Sequence, residues 1–370
     1  MTPAPGPAPG PAPEHLPEGP SWDALRHHGD AELVPGGVDF AVNVRGDGPP
    51  AWLRERLASR LGDLGGYPTV DDDEAAVAAV AARHGVGPDG VLLLGGAAEG
   101  FHLIADHAAR RGLHAAVVHP SFTEPEVELR RAGVGVDRVI LPPPYRLDPA
   151  LVPDEADLVV VGNPTNPTSV LHPRDTVAAL CRPGRVTVVD EAFCDVVSDE
   201  AGHTLAGAGL PGLVVLRSLT KTWALAGLRV GYAVGDPAVL ADLATDRPHW
   251  PLGTLQLEAV RACLAPAADR ELETVRAQVV AEREAMVAAL ETAGIPVVVP
   301  PEAPFVLVRT PAGMDPVAFR AGLARRGIAT RRGDTFPGLD ATYLRLAVRD
   351  GRMVAELVRA WRAQREGDRR

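Results

Sequence analysis

Lys221 is the only lysine in a 370-residue chain whose lysines and arginines together number 37. It stands in Ser218-Leu219-Thr220-Lys221, just ahead of Gly227-Leu228-Arg229-Val230-Gly231-Tyr232. Arginine stays protonated at any working pH and cannot attack a carbonyl, whereas a lysine can be desolvated, lose its proton and form a Schiff base. A coding bias toward arginine explains why lysine is scarce. It does not explain why the one survivor lies between a hydroxyl-rich turn and an arginine-bearing glycine loop. Lys221 is therefore expected to hold an aldehyde cofactor.

Pyridoxal 5'-phosphate is such a cofactor, and its ring accepts electrons only when oriented and protonated. Asp190 ends the run Val186-Thr187-Val188-Val189, where a carboxylate at a sheet edge can pair with the pyridinium; the plainer alternative is a helix cap. Asn163 opens Asn163-Pro164-Thr165-Asn166-Pro167-Thr168, a rigid turn from which its amide could donate to the phenolic oxygen. Phe122 could stack on the ring or be an ordinary core aromatic. For the phosphate, the amides after Gly96, at Ala97 and Ala98, lie at a helix start, where free N–H groups and the dipole favour an anion. Ser218 and Thr220 add hydroxyls, and Arg229 adds a fork that matches phosphate.

These residues need a scaffold that brings them to one edge. From about residue 70, helical stretches alternate with short β-branched runs, the pattern of a mostly parallel sheet covered by helices. Strands are expected at 91–94, 115–118, 139–141, 158–161, 186–189, 213–216 and 228–234, with helices at 98–110, 124–131 and 175–180. In such sheets ligands bind beyond the carboxyl ends of the strands, where the candidate residues fall. After Trp250 come charged helices at 255–264 and 270–293. A smaller α+β part follows, with strands at 296–299, 305–309, 328–331 and 343–348 and helices at 316–326 and 352–364. The expected organisation is a disordered Pro/Ala-rich tail over 1–20, a segment over 21–50 packing on the small domain, a cofactor-binding large domain over 51–250 and a small domain over 251–370.

A net charge of -11 argues against a nucleic-acid surface. Cys181, Cys194 and Cys263 show neither pairing nor metal-ligand spacing and read as packing residues in a reducing compartment. With no bilayer-length apolar run and no secretory leader, the expected address is the cytoplasm, with no membrane partner.

Together these motifs resemble the fold-type I pyridoxal-phosphate enzymes of the class I/II aminotransferase family, from about His27 to the carboxyl end. The resemblance implies a mostly parallel α/β large domain with a smaller α+β domain. Lys221 would then be the Schiff-base lysine, Asp190 the partner of the pyridine nitrogen, Asn163 the phenolate donor, and Ser218 and Arg229 phosphate ligands. It also implies a homodimer with shared sites, Tyr67 in Gly66-Tyr67-Pro68 reaching the neighbouring subunit's phosphate, and an anion-gripping role for Arg345.

Two branches of the family, both acting on phosphorylated amines, are similar: the L-threonine-O-3-phosphate decarboxylases of cobalamin biosynthesis and the histidinol-phosphate aminotransferases. Leu216 to Lys221, Asp190-Glu191-Ala192-Phe193, Phe336 to Asp340, His27 to Asp30 and Asp39 to Asn43 are similar to the decarboxylases. That likeness makes His27, Arg331 and Arg345 the expected ligands of the substrate's phosphate and carboxylate, and Asn43 is a further expected substrate-binding residue. A decarboxylase is the first expectation, and an aminotransferase using 2-oxoglutarate and glutamate is the alternative. The chain departs from the decarboxylase pattern at Arg45-Gly46 and from the usual polar phosphate loop at Ala97-Ala98.

Overall fold

A computed structural model describes residues 19–46 and 48–367; the tail expected over 1–20 lies almost wholly outside the described residues. In chain order the strands are β1 Val38–Asp39, β2 Val91–Leu94, β3 Ala115–His119, β4 Val136–Ile140, β5 Leu158–Gly162, β6 Val186–Asp190, β7 Leu213–Ser218 and β8 Gly231–Gly235, followed by β9 Phe305–Arg309, β10 Ile328–Ala329, β11 Arg331–Arg332 and β12 Tyr343–Ala347. Seven of them form one sheet in the order β2-β8-β7-β6-β5-β3-β4, in which β8 alone runs against its neighbours.

The central strands are apolar on both faces because both are covered. Ala115, Val117, Leu158 and Val160 pack into one core, while Ala116, Val118, Val159 and Val161 pack into the core on the other side. This two-sided burial is why the runs read as continuous rather than alternating. A second sheet, β11-β12-β9, packs against the helices Pro266–Thr292, Pro316–Arg325 and Gly351–Gly367 around Phe319 and Trp361. The amino-terminal segment joins this part through β1, which pairs in parallel with β10.

Three expected strands differ. Residues 228–230 are a loop and β8 begins at Gly231, with Arg229 in the left-handed region at φ 58°. Segment 296–299 makes only an isolated bridge, Val297 to Val308. The expected strand 328–331 divides at Thr330 between two sheets, β10 pairing with β1 and β11 with β12. In each case the long-range partner decides, and an apolar run does not specify its partner.

Reversal of β8 is what builds the site. Gly231 is in register with both Leu94 and Ser218, so the ends of β2 and β7 and the start of β8 meet at one edge. Asp190 lies one strand further along, opposite Leu216 on β7 and Gly162 on β5.

Candidate active site

A cavity of about 560 Å³ opens at that edge, lined among others by Ala97, Ala98, Phe122, Asp190, Lys221 and Arg229. Lys221 lies in the short helix Leu219–Thr222, and its amine makes no hydrogen bond to any described residue. Burial, then the charges of Arg345 and Arg229, lower its pKa to about 8 against the opposing pull of Asp190. Asp190 goes the other way: enclosure raises it to about 6, opposed by the N–H of Ala192 at 3.1 Å and by Lys221. An amine pushed toward neutrality and a carboxylate facing the same cavity are a pair prepared for reaction chemistry.

The residues expected to hold the phosphate stand beside them. Gly96, at φ 88°, precedes the helix Ala97–Arg111, whose first two residues, Ala97 and Ala98, line the cavity; the first N–H groups of a helix have no partner within it. A Cβ on Gly96 would meet the Arg229 guanidinium at 2.9 Å, so the missing side chain is what lets that cation lie over the helix start. Ser218 Oγ and Thr220 Oγ1 lie 2.7 Å apart on the same side, and both residues line the cavity. Gly96→Ala, which adds both the clash and a left-handed strain, is expected to weaken cofactor binding about ten- to a hundredfold. Equilibrium dialysis of the apoprotein measures it, with circular dichroism to show the fold intact.

Two expected ligands are placed elsewhere. The amide of Asn163 is fully buried and bonded to the backbone of His172, accepting from its N–H at 2.8 Å and donating to its carbonyl at 3.3 Å. Asn166, in the second Asn-Pro-Thr, lines the cavity instead and accepts from Arg345 Nη1 at 3.1 Å. The duplication of Asn-Pro-Thr was the available signal, and only the turn geometry separates the copies. His27 likewise turns its ring to Glu32 at 2.8 Å and offers Arg331 only its carbonyl, while the adjacent His28 lines the cavity, paired with Glu124 at 3.1 Å.

Arg331 and Arg345 face each other across β11 and β12, almost wholly buried, and both line the cavity. Among the described residues neither has a carboxylate within ion-pair distance. Arg331 donates to the His27 carbonyl at 2.5 Å, Arg345 to Asn166 and the Ala41 carbonyl, and one nitrogen of each is left without a partner. Burial lowers Arg331 to about 10 and Arg345 well below the usual arginine value, where Arg331 and Arg349 add to the effect. Asn43 beside them has both amide atoms buried and unpaired. Buried donors left open in a cavity are groups awaiting a ligand. Tyr67 is outside the cavity: it is 73% exposed and stacked on Trp250 at 4.2 Å.

The sequence profile of the family described as aminotransferase class I and II matches residues 36–360. The chain belongs to this family. It is an enzyme, and its cofactor is pyridoxal 5'-phosphate. A histidinol-phosphate aminotransferase of Mycobacterium tuberculosis is 55% identical over 88% of this chain and 87% of its own. A threonine-phosphate decarboxylase of Salmonella typhimurium is 29% identical over 88% of this chain and 90% of its own. The fold matches a histidinol-phosphate aminotransferase of Clostridium acetobutylicum with a TM-score of 0.80, 23% identity and coverage of 89% and 99% of the two chains. The residues present fit the cofactor: the cavity is lined by the chain's one lysine amine, a carboxylate at Asp190, an aromatic ring at Phe122, and Ser218, Thr220 and Arg229 beside a helix start, where a Cβ on Gly96 would meet the Arg229 guanidinium.

Proposed function

We propose that the enzyme is an aminotransferase acting on a small phosphorylated amine, histidinol phosphate first among the candidates, with 2-oxoglutarate and glutamate as the second pair. The observation that carries this reading is the 55% identity to proteins named histidinol-phosphate aminotransferase. The decarboxylase name enters only at 29%, which reverses the order of the two expectations drawn from the sequence. The two buried arginines without carboxylate partners suit both halves of such a cycle, since a phosphate monoester and a dicarboxylate each bring anions to them.

When bound, pyridoxal phosphate supplies an aldehyde that condenses with primary amines and a ring that takes up electrons from the α-carbon. In this reading Lys221 would hold the cofactor between turnovers, and its Nζ, once released, would accept the proton from the substrate's amine-bearing carbon. Asp190 would keep the ring nitrogen protonated, Asn166 would donate to the phenolic oxygen, and Phe122 would offer a ring to stack on. The first amides of the helix Ala97–Arg111, Ser218, Thr220 and Arg229 hold the phosphate. Arg331, Arg345 and Asn43 hold the substrate's anion.

The exposed, stacked Tyr67, with Leu61, Leu64 and Val70 also exposed nearby in the chain, supports a homodimer in which this face meets a second copy. No helix among the described residues is long and apolar enough to cross a membrane, and the proposed address is the cytoplasm.

Incubating the holoenzyme with histidinol phosphate and 2-oxoglutarate should yield glutamate in proportion to substrate consumed. Release of carbon dioxide from threonine phosphate without any keto acid, with no glutamate in the first incubation, would replace the aminotransferase by the decarboxylase.

A further inference from the structure

Arg217 is 1% exposed, has no contact with the cavity, and gathers three carboxylates. It donates to Glu191 at 2.8 Å, to Asp195 at 2.5 Å and to Glu200. Two of these lead straight back to the site. Glu191 follows Asp190 in the chain, and its N–H bonds the Leu216 carbonyl at 2.9 Å. Asp195 accepts from Thr222 Oγ1 at 3.1 Å, and Thr222 follows Lys221. Arg276, from the helix Pro266–Thr292, closes the cluster by donating to Glu200 at 2.6 Å and to the Asp195 carbonyl at 3.1 Å.

The face of β7 behind the site thus carries a buried tie running from Asp190 through Glu191, Arg217, Asp195 and Thr222 to Lys221. A guanidinium serves several carboxylates in a fixed planar fork, which a single ammonium cannot. An ionic cluster this deep is costly to desolvate, so stability alone gives little reason for it.

We propose that Arg217 is a positioning residue that fixes the carboxylate of Asp190 and the amine of Lys221 relative to one another across the cofactor. The proposal rests on the roles given above to those two residues. Loosening the tie on the Lys221 side should misplace the amine against the charges that set its proton affinity, namely Asp190, Arg229 and Arg345. Misplacement of reacting groups costs turnover more than substrate binding.

Thr222→Val cuts the link at its lysine end with little change of volume, and Arg217→Lys keeps the charge but loses the fork. In both holoenzymes kcat is expected to fall about tenfold with KM nearly unchanged. The pH midpoint of the yellow band of the lysine-linked cofactor should move by about 0.5 or more, and Thr222→Ser should restore both. If Arg217→Lys does not fold, Thr222→Val decides alone. Folded variants with lower melting temperatures but wild-type kcat and midpoint would make the cluster merely structural and overturn the proposal. Borohydride reduction of wild-type holoenzyme separates the two levels: a cofactor fixed anywhere but Lys221 overturns the site reading, and this proposal with it.

Discussion

Lys221→Ala is expected to lower turnover by about 10⁴-fold, because the same amine is to hold the cofactor and shuttle the proton at the α-carbon. No other lysine exists in the chain to take its place. Borohydride reduction and peptide mapping should label Lys221 in the wild type and nothing in the variant; a variant that still turned over would defeat the assignment. The same position has an opposite effect on the empty protein. Burial and the nearby arginines lower the folded amine from 10.5 to about 8, so its contribution is favourable above the unfolded value and is lost as pH falls through about 8. Lys221→Met apoprotein should therefore be more stable than wild-type apoprotein below about pH 8. Solvent in the cavity screens part of the effect, so the gain is at most about 3 kcal/mol, shrinking as pH rises toward the unfolded value. Denaturant titration at several pH values measures it.

Asp190→Asn should cost about 10³-fold in turnover, the effect of removing a charge aimed at a developing electron sink. Its pH signature distinguishes it from general damage. Enclosure raises the folded carboxyl from 3.8 to about 6, so the apoprotein is favoured below the unfolded value and loses that stability as pH rises through about 6. The Asn apoprotein should then gain up to about 3 kcal/mol over wild type above that pH. In the wild type, cofactor binding should tighten as pH rises through about 6, because the carboxyl must first give up its proton to face a cationic ring. In Asp190→Asn that pH dependence should vanish. A step near pH 6 that persisted in the variant, apart from the one near pH 8 set by Lys221, would place the controlling group elsewhere. Both substitutions trade function for stability of the empty fold, as expected where ionisable groups are buried for use rather than for packing.

Much of this site was legible in the residues. A sole lysine beside hydroxyls and a glycine loop, an aspartate ending an apolar run and a glycine pair before a helix pointed to one chemistry. The strand–helix alternation required their convergence, because parallel strands send all their carboxyl ends to one edge. Local rules suffice there, since each signal sits within a few residues of the group it positions.

Tertiary structure alone decided the rest. Which copy of Asn-Pro-Thr faces the cavity depends on Asn163 finding the backbone of His172. Which histidine of the His27-His28 pair faces it depends on Glu32 drawing one ring away and Glu124 meeting the other. The division of 328–331 depends on β1 and β12 arriving from distant parts of the chain. Arg217 stood in the motif without a role until Glu191, Asp195 and Glu200 closed around it. Side-chain type limits what a residue can do; its choice among neighbours of equal local merit is made by partners far away in sequence, whose approach no local pattern encodes.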